Sequence, residues 1–383
     1  MNRFSSEPLG FQNVVAGNGS RCLDHKLLLP TAMIPQTTET FLNDFKRRHE
    51  SGGRPFCWIL GSGASNSSGV RMGRDLAKDW LRMMYESSHF HSGEKPSIED
   101  WAEGRFEHVP GFSFLNAVNF YPTIYNECFK SPDEGLAFLE DETKGKVPGL
   151  GYQILAQIMK GSKNNIAITS YIDDLLPTAL TLYAGTFPFI CGHEFLTNYD
   201  ISNLDRPLVA NVHRDLVLAP GNFKSIEAHR GEWIRSLDKL FEHYTPVMIG
   251  FGDLGGPGGS LMNLLNAVRV GGGMYWCYRE KPENSNGLPV GEVQALVDKH
   301  RGRLIPIVGF DELMVQVWDK LALTSLTNEL TRRFNAIAGD YLNDLQKVAT
   351  EMIDRGEGSG KPTLEAAARS GRSVLKRLME DSD

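Results

Sequence analysis

Five apolar residues, Phe56-Cys-Trp-Ile-Leu60, run without interruption into Gly61-Ser-Gly63. An unbroken apolar run of this length is what a strand buried on both faces looks like. Two glycines directly after it predict a tight turn. Ala64, Ser65, Ser67 and Ser68 keep that turn small, and the spacing of Leu76, Trp80 and Met83 predicts a helix that begins near Gly69 to Gly73. Further strand-like segments fall at 165–169, 208–213, 246–250, 274–278 and 304–308, and helical patterns at 150–160, 233–244, 261–268 and 292–299 alternate with them. Strands and helices in alternation imply an α/β fold, a Rossmann-like parallel sheet covered on both faces.

The flanking segments have a different texture. Residues 1–50 are expected to form an N-terminal extension, within which Thr40 to Arg48 is a short amphipathic helix presenting Phe41, Leu42 and Phe45. The sheet domain is expected to span 51–310. A helical insertion at about 89–148 is dense in aromatic residues, among them Trp101, Phe106, Phe112, Tyr121, Tyr125 and Phe129, best read as its core. Residues 311–383 are expected to be helical, broken at Gly356 to Pro362, with Thr363 capping a last helix that runs to about Met379. A tail of this kind packs on its own domain or on a neighbouring subunit.

The net charge of −7 gives no electrostatic reason to expect nucleic acid as the main ligand. The basic clusters Lys46-Arg47-Arg48 and Arg369, Arg372, Lys376 and Arg377 are taken as solvated faces. No apolar run approaches a membrane span, and the first ten residues lack an apolar signal core, so a cytoplasmic protein with no membrane contact is expected. The five cysteines are scattered, which excludes a Cys-x-x-Cys zinc pair and fits a reducing compartment; Cys57 and Cys277 sit in apolar runs as core residues.

In a parallel sheet of this type, ligands bind at the carboxyl ends of the strands. Small or polar residues collect at four of those ends: Gly61 to Ser65, Thr169 to Asp173, His213 to Asp215 and Gly250 to Asp253. The glycine turn alone is compatible with a nucleotide phosphate site or with a plain strand–turn–helix corner, since Asn66 stands where the dinucleotide fingerprint has its third glycine.

Taken in order, these strand ends resemble those of the sirtuin family. Gly61-Ser-Gly-Ala-Ser-Asn-Ser-Ser-Gly-Val70 resembles the family's phosphate loop, and Ile168-Thr-Ser-Tyr-Ile-Asp-Asp-Leu175 its Thr-x-Asn-x-Asp-x-Leu strand end. Val212-His213-Arg-Asp215 resembles the strand end with the essential histidine, and Val247-Met-Ile-Gly250-Phe-Gly252 the later Gly-x-Ser strand. The absence of a four-cysteine module makes the chain more similar to the zinc-free sirtuin-like proteins of bacterial anti-phage defence. That resemblance implies an NAD hydrolase releasing nicotinamide and ADP-ribose, a homo-oligomer, and assembly with a HerA-like hexameric ATPase.

The resemblance also implies site residues. His213, Asp173 and Tyr171 fall at catalytic positions; Gly61, Ser62, Gly63, Ala64, Ser65, Thr169, Ser170, Gly250, Gly252 and Asp253 fall at NAD-binding positions, and no metal is implied. Asp215 is a candidate to orient His213. Two positions depart from the family: Tyr171 replaces the asparagine that places ribose and water, and Arg214 replaces a glycine. Ser170 or Asp173 is a candidate to stand in for the asparagine, and Asn198, in a second Thr-Asn-Tyr-Asp string, is another. The departure at Tyr171 keeps open a second class of function, a non-catalytic NAD- or ADP-ribose-binding scaffold or sensor.

Overall fold

A computed structural model of the chain describes residues 36–89, 95–192, 196, 204–212, 223–251, 257–279, 288–289, 291–324 and 327–380. Seven strands are described: β1 Phe56–Leu60, β2 Ile166–Thr169, β3 Phe189–Cys191, β4 Leu208–Asn211, β5 Thr245–Ile249, β6 Tyr275–Arg279 and β7 Arg303–Ile307. They form one sheet in the order β3-β4-β2-β1-β5-β6-β7, and every neighbouring pair is parallel. With β3 set aside, the order is that of a Rossmann sheet, in which the chain reverses direction between the first and fourth strands. Here the reversal falls between β1 and β5.

Both faces of the central strands β1, β2 and β5 are dry, which explains the unbroken apolar runs. Phe56, Trp58 and Leu60 point into the main core beside Val247, Ile249 and Tyr275, while Cys57 and Ile59 are equally buried on the other face with Ile168 and Met248. Sequence reading missed β3. Three half-exposed residues at a sheet edge carry no period to read, and the strand exists through its pairing with β4. β4 ends at Asn211, two residues short of the expected limit; Val212 after it is buried, and His213 lies outside the described residues.

Helix α1, Thr38–Ser51, is part of the sheet domain rather than of an extension, and the compact unit begins at Pro35. Thr37 caps it by accepting from the Thr40 amide at 3.2 Å. Its apolar face is the expected one. Phe41 meets Tyr275 at 5.1 Å between ring centroids, and Phe45 meets Phe56 at 5.1 Å.

The segment between β1 and β2 is helical: α2 Gly73–Ser87, α3 Ile98–Arg105, α4 Tyr121–Cys128, α5 Pro132–Thr143 and α6 Leu150–Lys160, with a 3₁₀ stretch at Phe114–Phe120. Trp80 gathers its aromatic residues, with Tyr121, Tyr125, Phe129 and Phe138 at 4.6, 5.3, 5.8 and 6.2 Å. A short helix, α7 Leu175–Ala179, follows β2; α8 Phe223–His243, α9 Pro257–Ala267 and α10 Gly291–Lys299 connect the later strands. After β7 come α11 Phe310–Lys320, which packs on α6, and a hairpin of α12 Thr327–Gly356 with α13 Pro362–Glu380. Thr363 therefore lies inside the last helix, whose first residue is Pro362. Among the described residues no helix is long and apolar enough to cross a membrane.

Candidate functional site

Register fixes where the strand ends emerge. Leu60 pairs with Thr169 on one side and with Ile249 on the other, and Thr169 pairs with Asn211. Four strands thus finish at one level. Gly61, Ser170, Val212 and Gly250 leave the sheet side by side.

The glycines at this level touch each other. Gly61 donates its amide to the Ile249 carbonyl and Gly63 donates to the Gly250 carbonyl, both at 2.9 Å, while the Ala64 amide turns back to the Gly61 carbonyl at 3.0 Å. Gly250 has φ of +85°, and a Cβ there would lie 2.5 Å from the Ala64 nitrogen. A Cβ on Gly61 would lie 2.7 Å from the Gly250 oxygen. The glycine pattern is thus required by the contact of two backbones across the reversal point. These three amides are spent on backbone carbonyls, two of them at the end of β5. Ser62, at the start of the single helical turn Ser62–Ser65, is half-buried.

Below the turn lies a buried polar chain. Ser65 donates to Asp173 Oδ2 at 2.6 Å, and its oxygen lies 2.8 Å from the Tyr152 hydroxyl. A serine has one proton, so Tyr152 donates to Ser65 and Ser65 to Asp173. Asp173 Oδ1 accepts from the Leu175 amide at 3.1 Å. Burial raises the Asp173 carboxyl above the ordinary carboxylate value, opposed by the bonds from Ser65 and Leu175. Burial also raises the Tyr152 phenol, and the Asp173 charge adds to it. The loop after β2 is tied to β1 as well, since the Ser170 amide donates to the Leu60 carbonyl at 2.9 Å and Thr169 accepts from the Tyr171 amide at 3.2 Å.

Tyr171 is fully buried, and its hydroxyl donates to the Arg71 carbonyl on the segment leading into α2. The structure therefore brings together Gly61, Gly63, Ala64 and Gly250, and separately Ser65 with Asp173, while the Tyr171 hydroxyl is held by the backbone of Arg71. Gly252, Asp253, His213, Asp215 and Asn198 lie outside the described residues.

Sequence reading passed over Tyr152, which looks like one apolar position of α6. It also missed Asp311, which accepts from Ser67 Oγ and from the Gly151 amide, both at 3.0 Å. With the Gly149 amide donating to Ser68 at 2.9 Å, these bonds clamp the far side of the turn to α6 and α11. No local signal marks either residue, because their partners are 87 and 244 positions away.

A cavity of about 400 Å³ opens at the carboxyl ends of β6 and β7, lined in part by Thr38, Arg279, Ile307, Val308 and Glu312. β7 is three strands from β1, a span of about 14 Å at the usual ~4.8 Å strand spacing. Among the described residues no three His, Cys, Asp or Glu side chains are grouped to hold a metal ion.

No family model matches the chain, and no curated protein matches it.

Proposed function

We propose that the chain binds NAD across the reversal point of its sheet and hydrolyses it to nicotinamide and ADP-ribose, in the manner of the zinc-free sirtuin-like defence proteins whose motifs it resembles. The observation that carries this reading is the level alignment of four strand ends, with Gly61 and Gly250 in contact where a doubly wound sheet holds a dinucleotide. Two regions support this reading. Ser62 and the turn border the place for the pyrophosphate, and the cavity at β6 and β7 has room for the adenosine half. Their separation of about 14 Å suits an extended dinucleotide.

Hydrolysis breaks the bond from ribose C1′ to nicotinamide through a cationic, oxocarbenium-like transition state. In this reading His213 takes a proton from a ribose hydroxyl or from the attacking water. Asp173 bears on the site through Ser65, which it holds in one orientation, and Thr169, whose hydroxyl accepts from the Tyr171 amide, ends β2 beside it. The resemblance assigns Gly252 and Asp253 to the binding of the adenosine half. A HerA-like ATPase is the proposed activating partner.

One observation favours a second reading. The position that holds asparagine in the family is occupied by a buried tyrosine whose hydroxyl is already bonded to Arg71. A chain that grips NAD or ADP-ribose without turning it over fits that substitution. The test is nicotinamide release by purified protein, alone and with the ATPase, beside NAD affinity by calorimetry. Release abolished by His213→Ala supports the hydrolase. Tight NAD binding with no release in either mixture supports the sensor. Absence of both removes the dinucleotide reading altogether.

A further inference from the structure

The buried chain beneath the glycine turn holds an acid with no cation beside it. Asp173 is 4% exposed, and among the described residues it forms no ion pair. A carboxylate this far from water is costly unless hydrogen bonds hold it. Two do: Oδ2 faces the Ser65 hydroxyl at 2.6 Å and Oδ1 faces the Leu175 amide at 3.1 Å. The other ionisable groups around it are Asp174 and Tyr171 on its own loop and Tyr152 on α6, with Asp311 of α11 beyond Tyr152. The Tyr171 hydroxyl donates to the Arg71 carbonyl and so turns its proton elsewhere.

Tyr152 decides which way the protons of this chain point. Its hydroxyl is buried, and the Ser65 oxygen at 2.8 Å is its bonding partner among the described residues. The phenol proton therefore goes to Ser65. Ser65 is itself fully buried between two partners, one of which is now the donor, so its single proton goes to Asp173. A proton on the Asp173 carboxyl would find no acceptor there, since each oxygen already faces a hydrogen.

The phenol is fixed in place. Its ring meets Phe310 edge-on at 5.1 Å between centroids. At the preceding residue, a Cβ on Gly151 would lie 2.6 Å from Asp311 Oδ1 and 2.7 Å from the Phe310 ring. Helices α6 and α11 thus meet with no room to slide. We infer that Tyr152 is a positioning residue of the site: by giving its proton to Ser65 it sets the direction of the chain and keeps Asp173 a carboxylate beneath the glycine turn. The catalytic meaning rests on the NAD reading, in which a fixed negative charge at this level favours the cationic transition state; the direction of the protons does not.

The test is the titration of Asp173, followed by carbon NMR of full-length protein labelled at its aspartate carboxyls and assigned through Asp173→Asn. The wild-type signal is expected to be that of a carboxylate at pH 7. Tyr152→Phe keeps the ring and frees the Ser65 oxygen to accept a proton from Asp173. The carboxyl midpoint is then expected to rise by about half a pH unit or more, the effect of one ordinary hydrogen bond. Ser65→Ala, which removes the donor itself, is expected to raise it further. Tyr275→Phe is the control, because that hydroxyl serves Asp44 at 2.6 Å and its loss should leave Asp173 where it is. An Asp173 protonated at pH 7 in the wild type overturns the inference. So does a midpoint unmoved in Tyr152→Phe, the result expected of a tyrosine that only fills space. The titration needs no NAD, so its failure is distinct from an absence of nicotinamide release. Where NAD is turned over, the acid limb of kcat/KM is expected to rise with the carboxyl midpoint, and a limb that stays put removes the Asp173 charge from the chemistry.

Discussion

A methyl group at position 250 has nowhere to go. Gly250 has φ of +85°, and its added carbon would stand 2.5 Å from the Ala64 nitrogen and 2.8 Å from the Gly61 oxygen. The left-handed backbone alone costs a non-glycine residue about 1–2 kcal/mol. The overlap is with backbone on both sides, so no rotamer change relieves it, and crowding of this kind costs about 1–3 kcal/mol more. Separating the two loops also strains the bonds from Gly63 to Gly250 and from Gly61 to Ile249. Gly250→Ala is therefore expected to lose about 2–5 kcal/mol of stability, a large share of the ~5–15 kcal/mol that holds a typical protein folded. Gly52→Ala is the control, since Gly52 also has positive φ, at +70°, but nothing lies within 4 Å of its added carbon. It should lose about 1–2 kcal/mol. Urea titrations followed by tryptophan fluorescence compare the two. Equal losses would refute the claim that backbone contact, rather than backbone conformation, is what demands glycine at the reversal point.

Phe41→Ala removes a ring packed against Phe45, Phe56 and Tyr275 and should cost about 3–5 kcal/mol in the same titration, whereas a loss below ~1 kcal/mol would return α1 to the status of an appendage. Asp173 has a raised carboxyl pKa in the folded state, so its contribution to stability is fully present below the ordinary carboxylate value and is lost as pH rises through the raised one. Asp173→Asn lacks that loss: the difference in urea midpoint, variant minus wild type, should grow from pH 3 upward, and a difference flat with pH would count against a buried, destabilised carboxylate. Tyr171→Phe gives up the bond to the Arg71 carbonyl and should cost about 1 kcal/mol, with nicotinamide release unchanged; a collapse of release at intact stability would show that the phenol takes part in the chemistry.

Local pattern carried much of the fold. The apolar run of β1, the amphipathic face of α1 and the aromatic density between β1 and β2 each state their own burial, because burial on one or both faces leaves a period in the residues themselves. β3 left no such trace, since three edge residues owe their conformation to hydrogen bonds from β4. The polar residues at the strand ends were legible as a set, yet their partners were not. Ser65, Asp173 and Tyr152 are spread over more than a hundred positions and meet because β1 and β2 are neighbours in register.

The sequence by itself determined that strands and helices alternate, that the central strands are dry, and that small and polar groups sit at the strands' carboxyl ends. The tertiary structure alone decided that the glycines after β1 and β5 face one another, that the Tyr171 hydroxyl is turned to Arg71, and that Asp311 closes the turn from a distant helix. The reason is physical: periodicity records which side of an element meets water, while strand order and register decide which distant atoms come within bonding reach.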